Sequence, residues 1–593
     1  MADYKIVIIG AGVSGLYAAW RLTVDTQTYH PDEVLVLEAS DRTGGRLRTW
    51  TLNDIDPVLP DDPTVRAELG GMRVINYDIY VCSLVTHFGL SMVPFPADVP
   101  QNWHYFRSQT VQSEEYPRQD IFHLAPSELY WTPGDVLYNS LVKTGVVPQD
   151  IFPTADGSIT LRDFVDSAIR TVVVDGVPAW KLGFWNAIVG SGAALNPSDH
   201  VVSQESYAYF TQTGAYDTVP SNWNAAIAFP ISLVDFSNAP TYWAITDGYE
   251  RLPDRLAHEL AGASVEIRKQ RPVTGLFYDA AAATYAVEIG DTLISAERVA
   301  LAIPPHAVDT LAGNAVLPSA GLSAPLAALL PQIRQAAPIP LLKVYLVYDQ
   351  DWWSAAIPDW PAFTRMTTDM PMRQTYNFGA ATGADGKTYY LFQSVYCDAL
   401  NAGYWAGLMP QEGENKGIDL DTDIFARIQN LTQSTIETGT LRFGTQDKVA
   451  DFPMFLTSHQ QFETMVRSVA AGTSISPVEP IAGVAMNWGV DPFGGGVNYW
   501  NVGVNLDDGA GGGAYWEMLN PLENLYIIGE GYSLQQCWVE GALWSAEDML
   551  QRHFGLSIPT WLDRVPYRGA GGNVPAVAAA QGQTVRAAMA VEA

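Results

Sequence analysis

Apolar residues in this chain gather into short β-branched runs and longer one-faced stretches, and these set out the elements in order. Tyr4-Lys5-Ile6-Val7-Ile8-Ile9 predicts a buried strand, Leu16 to Leu22 a helix, and Val34-Leu35-Val36-Leu37 a second strand ending on Glu38. From Ile79 to Leu90 the residues Ile79, Cys82, Val85 and Phe88 recur on one side of a predicted helix. Residues 91 to 240 are irregular, rich in aromatics and prolines, with short helical pieces such as Leu161 to Thr171. Order returns with a helix over Asp254 to Ala261 and strands over Val265–Ile267, Val273–Phe277, Tyr285–Ile289 and Arg298–Ile303. The last of these stops at Pro304-Pro305. Leu341 to Tyr348 is an apolar and aromatic strand holding one lysine, Lys343. A helix is predicted over Asp421 to Thr435, a strand over Leu525 to Ile528, and a helix from Trp538 through Leu550. Beyond about residue 568, Ala, Gly, Val and Gln predominate, which predicts a mobile tail.

Between the first two strands lies Gly10-Ala11-Gly12-Val13-Ser14-Gly15, so the order is strand, glycine turn, helix, strand, acid. That context turns a weak glycine pattern into a dinucleotide-binding expectation. Gly10 permits the tight turn, Gly12 clears the approach of a pyrophosphate, and Gly15 lets helix and strand pack closely. The backbone at Val13 and Ser14 opens the helix, whose N-terminus favours phosphate. Glu38, beside Ala39, can accept hydrogen bonds from ribose hydroxyls. Next, Arg42-Thr43-Gly44-Gly45-Arg46 offers a backbone that approaches an anion closely with guanidinium groups in reach, a second pyrophosphate contact. Gly70-Gly71-Met72-Arg73 repeats the pairing of glycines with a charge.

The 593-residue length calls for two or more domains. Thirty-three basic against 64 acidic residues leave a net charge of −31, which argues against nucleic acid or an anionic membrane as partner. No stretch approaches the ~18 uninterrupted apolar residues of a membrane span, and no basic start with an apolar core marks a signal peptide. The expectation is a cytoplasmic protein, compatible with a homodimer. The three cysteines lie far apart and the nine histidines are scattered, so neither a disulfide framework nor a metal centre is expected.

Taken in order, Gly10 to Gly15 with Glu38, Arg42 to Arg46, Gly70-Gly71, Asp247 to Pro253, Lys343, and Gly529-Glu530 with Trp538 to Ala542 resemble the flavin-dependent amine oxidase superfamily. That superfamily includes monoamine oxidases and L-amino-acid oxidases, and the block from Asp491 to Trp500 looks similar to bacterial and fungal L-amino-acid oxidases and their monooxygenase relatives. The resemblance implies an α/β fold: a Rossmann-like FAD-binding domain of the glutathione-reductase type, built from residues 1–78, 243–338 and 481–555. An α+β substrate-binding domain with a helical insertion would take 79–242 and 339–480, and 566–593 would be the flexible tail. FAD contacts would come from Gly10, Gly12, Val13, Ser14, Gly15, Glu38, Ala39, Arg42, Gly45, Arg46, the run Gly70 to Arg73, Val273, Gly529, Glu530, Trp538 and Val539. Monoamine oxidases tether flavin through a cysteine; Val497 stands at that place, which implies non-covalent FAD.

Met72-Arg73 resembles the element whose arginine grips the substrate carboxylate in L-amino-acid oxidases, and a planar fork of N–H donors suits that task. Lys343 resembles the family lysine that holds a water at the flavin and assists the reaction with O2. Tyr499, Trp500, Cys537 and Trp538 are the expected substrate walls, and an aromatic lining favours apolar or aromatic side chains. The function implied is oxidation of L-amino acids to 2-oxo acids, ammonia and hydrogen peroxide. An amino-acid 2-monooxygenase, an amine or polyamine oxidase, and a flavin-binding protein without turnover remain the alternatives.

Overall fold

The computed structural model describes residues 2–115, 120–189, 202–216, 223–235, 241–313, 322–409, 439–490, 493–510 and 512–569. The helix expected over Asp421 to Thr435 and nearly all of the expected tail lie outside the described residues. The start of that tail is docked: the Tyr567 backbone N–H donates to Asn76 O at 2.9 Å, and its ring stands edge-on to Trp243.

Two sheets organise the chain. In the first, an eight-stranded sheet, Tyr4–Ile9 lies parallel to Val34–Leu37 on one side and to the second half of Thr292–Leu301 on the other. Glu266–Arg268 extends the parallel part past Val34–Leu37, and Leu525–Ile527 past Leu301. The antiparallel strands Thr284–Ile289, Gly275–Asp279 and Leu322–Ser323 complete it. Tyr4–Ile9 and Val34–Leu37 read as continuous apolar runs because parallel strands are covered on both faces, and Ile6, Val7, Ile8 and all of Val34–Leu37 are fully buried. The first helix, Val13–Trp20, packs on this sheet beside the last one, Val539–Phe554. A buried fork joins the two: Arg21 Nε and Nη2 donate to the two oxygens of Glu547 at 2.9 Å each, and Tyr17 Oη donates to Glu547 at 2.6 Å. Such a bidentate pair fixes geometry as well as energy, so it locks these two helical segments side by side.

The second sheet is antiparallel throughout, in the order Arg365–Thr367, Gln374–Thr382, Thr388–Asp398, Leu341–Tyr348, Ala482–Asn487, Thr440–Phe443. Ala482–Asn487, grouped from sequence with the nucleotide-binding segments, pairs here with Leu341–Tyr348 from Leu342↔Asn487 to Val347↔Ala482. Strand pairing is non-local, and an apolar run carries no sign of which sheet receives it. Leu161–Thr171 and Leu341–Tyr348 match their expected bounds, whereas the helix expected from Ile79 to Leu90 ends at His87. Glu540 holds the start of that helix, accepting from Tyr80 N and Val81 N at 2.9 Å each. Burial, reinforced by the nearby Asp78 carboxylate, raises its pKa to about 8.

Candidate active site

A cavity of about 610 Å³ opens at the C-terminal ends of the parallel strands, where Ile9, Leu37, Ala302 and Gly529 line it. Open α/β sheets bind ligands at this edge. Three glycines shape it for different reasons. Gly10 has φ of 106°, and a Cβ there would lie 2.4 Å from Ala302 O. Gly15 packs on the turn itself, since its Cβ would meet Gly10 O at 2.0 Å; it braces the turn and does not line the cavity. Gly12 differs: its φ of −71° and ψ of 177° suit any residue, and nothing lies within 4 Å of its would-be Cβ. Its missing side chain leaves room only for a ligand in the cavity.

Val13, Ser14, Glu38, Ala39, Gly45, Arg46, Gly70, Gly71, Val273, Gly529, Glu530, Trp538 and Val539, the residues expected from sequence to contact a cofactor, also line this space. Glu38 is held at the rim by Ala11 N at 2.8 Å and by Ser40 N and Oγ at 2.9 and 2.8 Å. A carboxylate has about four acceptor sites, so capacity remains for a hydroxyl. Arg46 faces the cavity, with Nη1 2.9 Å from Glu530 and 3.0 Å from Gly496 O. Glu530 also accepts from Asn498 N, Asn498 Nδ2 and Cys537 N. Arg42 is a correction. Its guanidinium turns back onto its own loop, donating to Gly45 O at 2.6 Å and to Thr43 O and Leu47 O, and it shapes the glycine loop from behind.

A smaller cavity of about 110 Å³ adjoins the first and shares Gly70, Gly71, Leu341, Tyr396, Val497, Cys537, Trp538 and Val539 with it. Met72 and Arg73 line this cavity and not the larger one, so their direct contacts are with the smaller space. Buried Arg73 donates from Nη1 to Tyr376 Oη at 3.1 Å, stands 3.9 Å from Asp235 Oδ1, and lies over the Tyr242 ring at 4.5 Å. Tyr376 is itself anchored through Gln374 to Arg365, which is paired with Asp98. The guanidinium is therefore fixed in direction, with N–H groups to spare.

Trp500 is the second correction. Side chains alternate along the strand Val497–Trp500, so Val497 and Tyr499 face the smaller cavity while Asn498 and Trp500 point away. Trp500 is fully buried, donating from Nε1 to Ser533 O at 2.9 Å. Tyr499 stacks on Trp223 at 4.7 Å, a partner from a remote segment. Cys537 lines both cavities at φ of 74°, a left-handed conformation that strains a residue with a side chain. Burial, then the charges of Glu530, Asp398 and Asp235, push its thiol well above the ordinary range. Lys343 lines neither cavity. Its Nζ sits behind the wall, donating to Glu68 O at 2.9 Å and to Gly70 O, and burial lowers its pKa to about 7 against the opposing pull of Glu68. Sequence reasoning missed Tyr216, Trp223, Ser232, Asp235, Tyr396 and Asp398, all of which line the smaller cavity. Only Ser232 and Asp235, three apart on the helix Ala225–Asp235, carried a helical spacing that could have linked two of them.

The profile of flavin containing amine oxidoreductases matches residues 13–472. The chain belongs to that family. It is similar to Aplysianin-A of Aplysia kurodai, 25% identical over 578 residues that cover 93% of this chain and 90% of the relative. It is also similar to an L-amino-acid oxidase of Protobothrops flavoviridis, 32% identical over 141 residues that cover 23% of this chain and 25% of that oxidase. Membership makes this an oxidoreductase family protein with a flavin cofactor. The residues fit the group: a cavity within the 300–1,000 Å³ range of ligand sites, the open space at Gly12, and cationic Arg46 and Arg271 in the wall. Among the described residues, no cluster of side chains could hold a metal ion, and no helix is long and apolar enough to cross a membrane.

The Gly12 geometry makes a direct prediction. Gly12→Val should fold, because its backbone angles are ordinary, yet purify with flavin content lowered by about tenfold or more. Visible absorbance per polypeptide checks this, and a fully yellow variant would contradict the cradle.

Proposed function

We propose that this protein oxidises L-amino acids, using FAD held non-covalently in the larger cavity and the substrate in the smaller one. The observation that carries the reading is Arg73, buried in the wall of the smaller cavity and held there by Tyr376. A fork of charged N–H donors beside a flavin cavity suits bidentate capture of an α-carboxylate. An amine lacking a carboxylate would leave that charge without its ligand.

When bound, FAD would supply the two-electron acceptor for oxidation of the amino acid at Cα, with O2 as the final acceptor, and the products would be a 2-oxo acid, ammonia and hydrogen peroxide. The chain's own task is positioning. Arg73 orients the carboxylate, and Trp538 and Val539, which line both cavities, wall the passage between them. Val497 cannot form a thioether, and the Cys537 thiol stays protonated, which supports non-covalent binding. Lys343 donates to Gly70 O from behind the wall, and its proposed part in the O2 reaction would be exerted through that contact.

The test is peroxide release and product identity over a panel of L-amino acids and simple primary amines. Peroxide with a 2-oxo acid supports the proposal. An amide product would make the protein a monooxygenase, and turnover of amines alone would make it an amine oxidase.

A further inference from the structure

Given the amino-acid oxidation proposed above, we propose that the substrate side chain is cationic, ending in an ammonium or guanidinium group as in L-lysine or L-arginine. The sequence alone favoured an apolar or aromatic side chain, because it showed the aromatic walls but not which acids join them.

The smaller cavity brings two carboxylates into that aromatic lining, Asp235 from the helix Ala225–Asp235 and Asp398 from the end of the strand Thr388–Asp398. Asp235 is steadied by Tyr242 Oη, which donates to it at 2.5 Å. Arg73 is the only Lys or Arg among the described lining residues, and it stands 3.9 Å from Asp235. Once Arg73 engages an α-carboxylate, its charge is shared between substrate and Asp235. Hydride leaves Cα only from the neutral amine, so a neutral amino acid in its reactive form would leave an excess of negative charge in a buried site. A side-chain cation offsets that excess.

Two further observations point the same way. Ser232 Oγ and Tyr249 Oη are buried in the wall with no hydrogen-bond partner among the described residues. Ser232 shares a helix face with Asp235, so an ammonium near Asp235 would find a hydroxyl acceptor beside it. A hydrocarbon side chain would leave both hydroxyls unsatisfied. The stacked Trp223 and Tyr499 and the perpendicular Tyr216 and Tyr396 add π faces, which attract cations as well as apolar groups.

The test uses holoenzyme and initial rates of peroxide release with L-lysine, L-arginine, L-leucine and L-phenylalanine. Expected is a kcat/KM for L-lysine or L-arginine above that for L-leucine and L-phenylalanine by about tenfold or more, equivalent to 1.4 kcal/mol. Asp398→Asn and Asp235→Asn should each lower the cationic-to-leucine ratio by about tenfold. A wild-type preference for leucine or phenylalanine, or a ratio unchanged in both variants, would overturn the cationic assignment while leaving amino-acid oxidation standing. Peroxide from none of the four would overturn both. The wild-type ranking decides alone should the variants fail to fold.

Discussion

Arg73→Met is expected to lower kcat/KM for L-amino acids by about a hundred- to a thousandfold while the protein remains yellow. Truncating one member of a buried, hydrogen-bonded charge pair costs about 2–5 kcal/mol, and each 1.4 kcal/mol is a factor of ten. Arg73 lines the substrate cavity and not the dinucleotide cavity, so the loss should appear mainly as a raised KM with flavin content retained. Arg73→Lys should recover only part of the loss, because an ammonium cannot reproduce the planar fork that donates to Tyr376 and still faces the cavity. A purely structural arginine would show the reverse: lower thermal stability with kcat/KM within a few-fold of wild type.

The second large effect is expected at Lys343. Lys343→Met should slow the reaction of the reduced enzyme with O2 by about 10²–10⁴-fold, the range of a positioned proton donor, with the anaerobic half-reaction changed only a few-fold. Stopped-flow measurement of the two half-reactions separates these. The ammonium is held by Glu68 O and Gly70 O, and the pKa of about 7 places its titration within the working range. In the wild type the O2 step should therefore slow as pH rises through about 7 and Lys343 loses its charge. Stability runs the other way. The folded value lies below the ordinary 10.5, so the unfolded chain holds the extra proton between those values. The contribution of this group to stability then rises from about pH 7 to about pH 10 and is absent below 7. The methionine variant should lack that rise. An O2 rate within a few-fold of wild type at every pH would remove Lys343 from the chemistry.

Local demands were legible in the sequence. Gly10, Gly12 and Gly15 each have a reason that acts within one turn: at Gly10 and Gly15 the backbone approaches too closely for a Cβ, and at Gly12 the space beside the backbone is open. Arg73 was legible as a residue type beside a glycine pair. What failed depended on direction or on distant partners. Arg42 has the right charge in the right loop, yet its guanidinium finds carbonyls on that loop first. Trp500 was placed on the wrong face because the period of two along Val497–Trp500 sends it opposite to Tyr499. The pairing of Ala482–Asn487 with Leu341–Tyr348 was not legible, because a non-local pairing leaves no local trace. Asp235 and Asp398 were hidden among 64 acids, since only folding brings a helix and a strand end to one cavity.

The central claim, a flavin next to a carboxylate-gripping arginine, is tested most directly by anaerobic titration of the purified yellow protein, following its visible absorbance. L-Lysine or another L-amino acid should bleach the flavin at about one equivalent per site, while n-butylamine at the same concentration leaves the spectrum unchanged. Bleaching by n-butylamine without bleaching by any L-amino acid would contradict the account.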